Sequence, residues 1–149
     1  HVPMIWRCPE RFATGSRIDG LVSHIDIMPT MLELAGVPVP HGVQGQSYAA
    51  GLQSGEFDGR PYILCEDDNL AYGPNVEGQV RTLRTPQYRL TYFLPGDEGE
   101  LYDLEKDPNE FYNRWDDPVY APVRNELVRQ LLAAVIAAAD PKPRRVASF

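Results

Sequence analysis

Asp26-Ile27-Met28-Pro29-Thr30-Met31-Leu32-Glu33-Leu34-Ala35-Gly36 reads as a helix with both ends written into it. Asp26 can cap it by accepting a first-turn N–H. Pro29 fits inside the first turn, where N–H groups have no intrahelical acceptor. Ile27, Met31 and Leu34 recur at spacings of four and three, one face of a helix. Gly36 supplies the left-handed stop, and Pro38 forbids continuation. Upstream, Val2 to Trp6 is a short apolar run with β-branched and aromatic members, read as a buried strand although Pro3 removes one ladder donor. Downstream, Val37 to Gln46 is a Pro/Gly loop. Strand patterns follow at Tyr62-Ile63-Leu64-Cys65, at Gln79 to Arg84 and Tyr88 to Leu94 around a Pro86 turn, and at Glu100 to Asp103. Pro118 to Asp140 closes the chain as a helix, with Val128, Leu131, Leu132, Val135 and Ala139 as its apolar stripe, widened by Leu127 and Ile136. The order predicts α+β, or the end of an α/β domain (its last strand and helix) followed by a small antiparallel sheet with a long C-terminal helix. The expected divisions are residues 1–55, 56–141 and a flexible tail over 142–149.

The chain has 149 residues, 43% of them hydrophobic, enough to bury a core. No run approaches the ~18 apolar residues a membrane helix needs. A net charge of -7 argues against nucleic acid, whose phosphates call for clustered Lys and Arg. Two cysteines, Cys8 and Cys65, cannot staple a disulfide scaffold and are expected as free thiols. The opening His1-Val2-Pro3-Met4-Ile5-Trp6 enters an apolar run at once, with no initiator Met and no charged n-region. It reads as a piece of a longer protein, so no address for a compartment is legible.

Three segments, taken in order, carry a resemblance. They are Pro3-Met4-Ile5-x-Arg7-x-Pro9; Val22-Ser23-His24-Ile25-Asp26-Ile27-x-Pro29-Thr30 running on to Gly36, then Gly45-x-Ser47; and Leu101-Tyr102-Asp103-Leu104-x-x-Asp107-Pro108-x-Glu110-x-x-Asn113. Over roughly residues 2 to 135 the chain resembles the C-terminal third of a sulfatase, in the alkaline-phosphatase-like superfamily. The resemblance implies a parent that hydrolyses small-molecule sulfate esters, with this segment bracing the catalytic domain and walling the substrate cleft. It also implies a formylglycine nucleophile, made from a Cys- or Ser-x-Pro-x-Arg motif, and a calcium-type divalent cation held by oxygen ligands. Both would lie in an N-terminal catalytic region absent here. No cofactor, catalytic residue or metal ligand is therefore expected on this chain, which should be inactive alone. A phosphonate or phosphodiester hydrolase of the same superfamily is the nearest alternative. A non-catalytic binding module, using the acidic segment with Tyr102, Tyr112, Trp115 and Tyr120, is the alternative of another class.

Asp26, Pro29, Gly36, Asp103, Asp107 and Pro108 are read as structural. Asp26 caps, Pro29 and Gly36 bound the helix, Asp107-Pro108 makes a turn, and Asp103 bonds nearby backbone. Several patterns imitate chemistry. Cys8-Pro9-Glu10-Arg11 has the residue types of the nucleophile motif, but Pro sits at +1 and Arg at +3 instead of +2 and +4. A calcium loop starting at Asp103 would place Pro108 where Gly is needed and Arg114 where Glu is needed. Asp67 and Asp68 imitate metal-binding acids at a strand end, but read better as a solvated acidic loop. With His1 they are the candidate cleft-lining residues. His24 and His41 lack a Ser or Cys partner at any telling spacing. Finally, Val2 to Trp6 is expected to be an edge or orphan strand, so that the chain either self-associates through it or folds its N-terminal ~50 residues poorly, because unpaired apolar strands template pairing.

Overall fold

A computed structural model describes residues 2–71, 77–96 and 98–139. His1 and the tail lie outside the described residues. The chain forms two compact units that divide between Arg60 and Pro61.

In the first unit, helix α1 (Ile27–Leu34) follows a 3-10 turn over His24–Asp26, and a short helix α2 (Ala49–Ser54) comes later. The end of α1 is a Schellman stop. Gly36 takes φ 71, the Val37 N–H reaches the Leu32 carbonyl at 2.9 Å, and the Gly36 N–H reaches that of Glu33 at 3.0 Å. Arg11 adds a guanidinium hydrogen bond to the Leu34 carbonyl at 2.8 Å, a cation at the negative end of the helix. Thr30 is buried: its hydroxyl donates to the Asp26 carbonyl at 2.6 Å and accepts the Tyr48 N–H at 3.2 Å. Tyr48 is packed edge-on to Trp6 and tilted against Phe57. Gly45 admits no side chain, since a Cβ there would stand 2.0 Å from the Ile25 carbonyl oxygen.

Two expectations fail in this unit. Val2 to Trp6 forms no strand. A strand needs a neighbour for its backbone groups, and the described sheet pairs its four strands with one another; Ile5 is left 92% exposed. The expected edge-strand route to association therefore has no strand to use. Nor does Asp26 accept a first-turn N–H. It stands at the third position of the turn opened by Ser23, and its carboxylate reaches back to the Ser23 N–H at 2.8 Å, as the acid of a capping box does.

The second unit is a four-stranded antiparallel meander in the order β1 (Ile63–Ala71), β2 (Glu77–Arg84), β3 (Tyr88–Leu94) and β4 (Gly99–Asp103). Helix α3 (Ala121–Ala138) packs on one face. Leu64, Leu83, Leu90 and Leu101 are register partners in one row across all four strands. The last three are fully buried against Trp115, Leu127, Leu131 and Ala134. Gly99 is small because the Trp115 ring lies over it; a Cβ would come within 2.4 Å of that ring. The β2–β3 turn closes on Thr85, whose hydroxyl accepts the Tyr88 N–H at 2.9 Å.

Strand β1 runs further than the sequence pattern indicated. Asp67 and Asp68 lie within it, not in a solvated loop. A register shift between Asp67 and Leu70 absorbs the irregularity, and Arg81 on β2 offsets the charge. The stripe on α3 is also rotated from the expected one. Leu127, Leu131 and Ala134 are buried, at spacings of four and three, with Val123, Val128 and Val135 beside them. Leu132 and Ile136 stand outside.

Candidate functional site

In the first unit the polar centre is Asp26, 1% exposed. Its two oxygens accept the N–H groups of Ser23 (2.8 Å) and Gln46 (2.7 Å), and the Arg60 guanidinium through Nε (2.8 Å) and Nη2. Burial alone would push its pKa up. The Arg60 fork and the two backbone N–H groups outweigh burial and hold the carboxyl below the usual Asp value. A carboxylate has about four acceptor sites, and four donors are engaged here. Asp26 is thus spent on tying the start of α1 to the Gln46 loop and to Arg60.

In the second unit the motif around Asp103 is equally committed to holding backbone. Asp103 is buried at the end of β4. Its Oδ2 accepts from Lys106 Nζ at 3.0 Å and from the Tyr120 hydroxyl at 3.1 Å, while Oδ1 is buried without a partner. Burial would raise its pKa, but the Lys106 and Tyr120 hydrogen bonds prevail and lower it. Tyr120 and Asp103 together push the Lys106 ammonium up. Asp107 closes the turn with Pro108 by accepting the Tyr112 N–H at 2.8 Å. Asn113 is the buckle between this loop and the sheet: its Oδ1 accepts the N–H groups of Leu101 (3.0 Å) and Trp115 (2.9 Å), and its Nδ2 donates to the Gly99 carbonyl at 3.1 Å.

Of the candidate cleft-lining residues, His1 lies outside the described ones. Asp67 and Asp68 are exposed on β1. Asp68 pairs with Arg81 at 2.7 Å, and Glu66 shares the same guanidinium at 3.0 Å. On the sheet face away from α3, Arg89 binds Glu100 (3.2 Å) and Glu110 (2.8 Å) and lies over the Tyr102 ring. Cys8 and Cys65 are free thiols. Among the described residues no three His, Cys, Asp or Glu side chains converge to hold a metal, and no described helix is long and apolar enough to cross a membrane. His24 borders an open depression of about 480 Å3 with Ile25, Met28, Val43 and the Gly42–Gly45 segment.

The sequence reading missed Arg60, Arg89 and any role for Asn113. Arg60 has no local signal, being 34 residues from its partner. Asn113 could have been weighed from its place in the motif: a side-chain amide near a strand end can serve both the donors and the acceptor of an irregular backbone.

Residues 1–137 match the family described as N-sulphoglucosamine sulphohydrolase, C-terminal. The Delta 4,5-hexuronate-2-O-sulfatase of Bacteroides thetaiotaomicron is 33% identical over 129 residues, covering 85% of this chain and 26% of that protein. A protein solved in complex with its substrate D-glucosamine-2-N,6-O-disulfate superposes with a TM-score of 0.79 at 28% identity, over 95% of this chain and 29% of the other. The phosphonate monoester hydrolase of Silicibacter pomeroyi gives a TM-score of 0.75 at 28% identity, over 90% and 28%. The chain thus spans about a quarter of the length of the relatives it matches. With its Asp26 helix, its antiparallel meander and its Asp103–Asn113 buckle, the chain belongs to the N-sulphoglucosamine sulphohydrolase C-terminal family.

Proposed function

We propose that this chain is the C-terminal part of a sulfatase whose complete polypeptide hydrolyses sulfate esters. Its own task in that polypeptide is to brace the catalytic portion and to wall one side of the substrate cleft, with Asp67 and Asp68 as candidate cleft-lining residues. The observation that carries the reading is the family match over residues 1–137, joined by relatives that are themselves sulfatases. The site chemistry supports a bracing role: the motif carboxylates Asp26, Asp103 and Asp107 are occupied by backbone and side-chain donors. A formylglycine nucleophile and a calcium-type cation are assigned to the upstream portion; Cys8-Pro9-Glu10-Arg11 has the wrong spacing for the first. The substrate class is a sulfated saccharide, as the names of two relatives suggest. The test is the complete reading frame carrying this chain, assayed on aryl sulfate and on a sulfated monosaccharide with calcium. Turnover of both, with a Cys- or Ser-x-Pro-x-Arg motif upstream, is the expected result; no turnover of either sinks the reading.

The phosphonate monoester hydrolase neighbour favours a second reading, in which the parent cleaves phosphonate esters. Faster turnover of an aryl phosphonate monoester than of the aryl sulfate would select it.

A further inference from the structure

On the sheet face away from α3, one row crosses all four strands: Ile63, Arg84, Arg89 and Tyr102 are register partners. It sets two arginines directly opposite each other, which is destabilising unless the charges are offset. The offset present is lopsided. Glu100 and Glu110 both reach Arg89, at 3.2 and 2.8 Å, and both through its Nη2. Arg89 Nη1 donates to the Thr91 hydroxyl at 3.1 Å, and the guanidinium lies over the Tyr102 ring. Glu110 is brought there by a left-handed backbone, φ 57, which a non-glycine residue adopts only under strain. Arg89 is thus held in place from three sides. Its Nε is nevertheless buried without an acceptor, and so is Nη1 of Arg84. Burial holds the Arg84 guanidinium below its ordinary pKa; Glu110 opposes that shift and Arg89 adds to it.

We propose that Arg84 and Arg89 form a binding site for a singly charged oxyanion carried by a saccharide, either a sulfate ester or a carboxylate. The assignment to a saccharide rests on the sulfatase reading above. Two guanidinium forks side by side match the paired oxygens of such a group, and an open donor on each is what the ligand would fill. Both side chains are only partly covered, so an anion arriving from solvent can meet the pair, and rotation of the Arg84 guanidinium turns its unused edge toward it. The charge sets the class. Arg84, Arg89, Glu100 and Glu110 together are formally neutral, and both carboxylates are spent on Arg89. One further negative charge is accepted beside Arg84; a dianion such as inorganic sulfate is opposed by the two glutamates.

NMR of the arginine side-chain Nε–H resonances in the 149-residue chain reads the site directly. The probes are glucose-6-sulfate and glucuronate, with neutral glucose, inorganic sulfate and sodium chloride at matched ionic strength beside them. The Arg84 and Arg89 resonances should follow a saturating curve with at least one of the two probes, and which probe saturates assigns the sulfate ester or the carboxylate. Glucose and chloride should leave them in place. Arg84→Gln should weaken binding about tenfold, the loss of one charged hydrogen bond, with Arg84→Lys, which keeps the charge but not the fork, in between. No saturating shift with either probe overturns the proposal, and so does an equal shift from chloride. Inorganic sulfate bound as tightly as glucose-6-sulfate overturns the saccharide assignment. Undiminished binding by folded Arg84→Gln overturns the site; if that variant fails to fold, the titration of the unaltered chain decides. Aryl sulfate turnover by the complete polypeptide separates the two levels. Turnover without an arginine shift defeats only the anion site; a shift without turnover defeats the sulfatase reading and leaves an oxyanion site standing.

Discussion

Arg60 is the residue on which the start of α1 depends. Replacing it with Ala leaves a carboxylate that is 2% exposed without its guanidinium, and stranding a buried charge costs about 3–5 kcal/mol. Arg60 itself keeps some contact with water, so the loss belongs at the lower end, about 3 kcal/mol. Chemical denaturation of Arg60→Ala against the unaltered chain measures it, and a midpoint that does not move would show that Asp26 is neutral or solvated. The pH dependence has a fixed sign. The Asp26 pKa is lower folded than unfolded, so its stabilisation is full above the unfolded value of about 3.9 and disappears as pH falls through the folded one. In Arg60→Ala that acid-labile portion should shrink, and the two stability curves should converge as pH drops. Asn113→Ala acts by another route, orphaning the N–H groups of Leu101 and Trp115 and the Gly99 carbonyl together. A loss of about 1–3 kcal/mol is expected, with a shift in Trp115 fluorescence as the ring over Gly99 loosens. At this scale the sequence announced which residues matter but not what they hold. Asp26 looked like a cap because a helix began beside it; its partners, Gln46 and Arg60, are brought near only by the fold.

Among the elements, the strands were the most legible, because period-two alternation is local. Tyr88, Leu90 and Tyr92 face α3 by alternation, with Leu94, the next of that series, 41% exposed; the Thr85–Tyr88 turn sets Leu83 against Leu90, and the β3–β4 pairing sets Leu90 against Leu101. Helices α1 and α3 were legible in extent but not in rotation, and the short α2 was not read at all. In an alanine-rich helix apolar residues occur all round, and the sheet chooses which stripe it covers. Leu131 and Leu132 turn this into a test. Leu131→Ala should cost about 2–5 kcal/mol by opening a cavity against Leu83 and Leu90. Leu132→Ala, on the outer side of the same helix, should stay within about 0.5 kcal/mol. Thermal denaturation of the pair checks it, and equal losses would mean α3 is rotated from the position described. Val2 to Trp6 failed for the opposite reason: its composition is that of a strand, but a strand is a property of two segments, and hydrophobicity alone supplies no partner.

For the whole molecule, the expected outcome is a folded chain that does no chemistry. Cys8 is the residue type closest to the nucleophile that formylglycine chemistry starts from, and its surroundings are organised for something else. The Cys8 carbonyl accepts the Arg11 and Phe12 N–H groups, closing a turn in which Glu10 takes φ 68. The Arg11 side chain, which a nucleophile motif would aim at the reacting group, is bonded to the end of α1 instead. Rate enhancement in ester hydrolysis comes from a positioned nucleophile together with preorganised charge at the leaving oxygens, and Arg11 is spent on the end of α1 rather than beside Cys8. The 149-residue chain should therefore give no hydrolysis of a chromogenic aryl sulfate above buffer, with or without calcium, and Cys8→Ala should leave that null result unchanged. Turnover by the purified chain that Cys8→Ala abolishes would place a nucleophile in this segment and reverse the assignment of chemistry to the upstream portion. Turnover that survives Cys8→Ala and follows Asp67→Asn or Asp68→Asn instead would move the chemistry to the acidic strand β1.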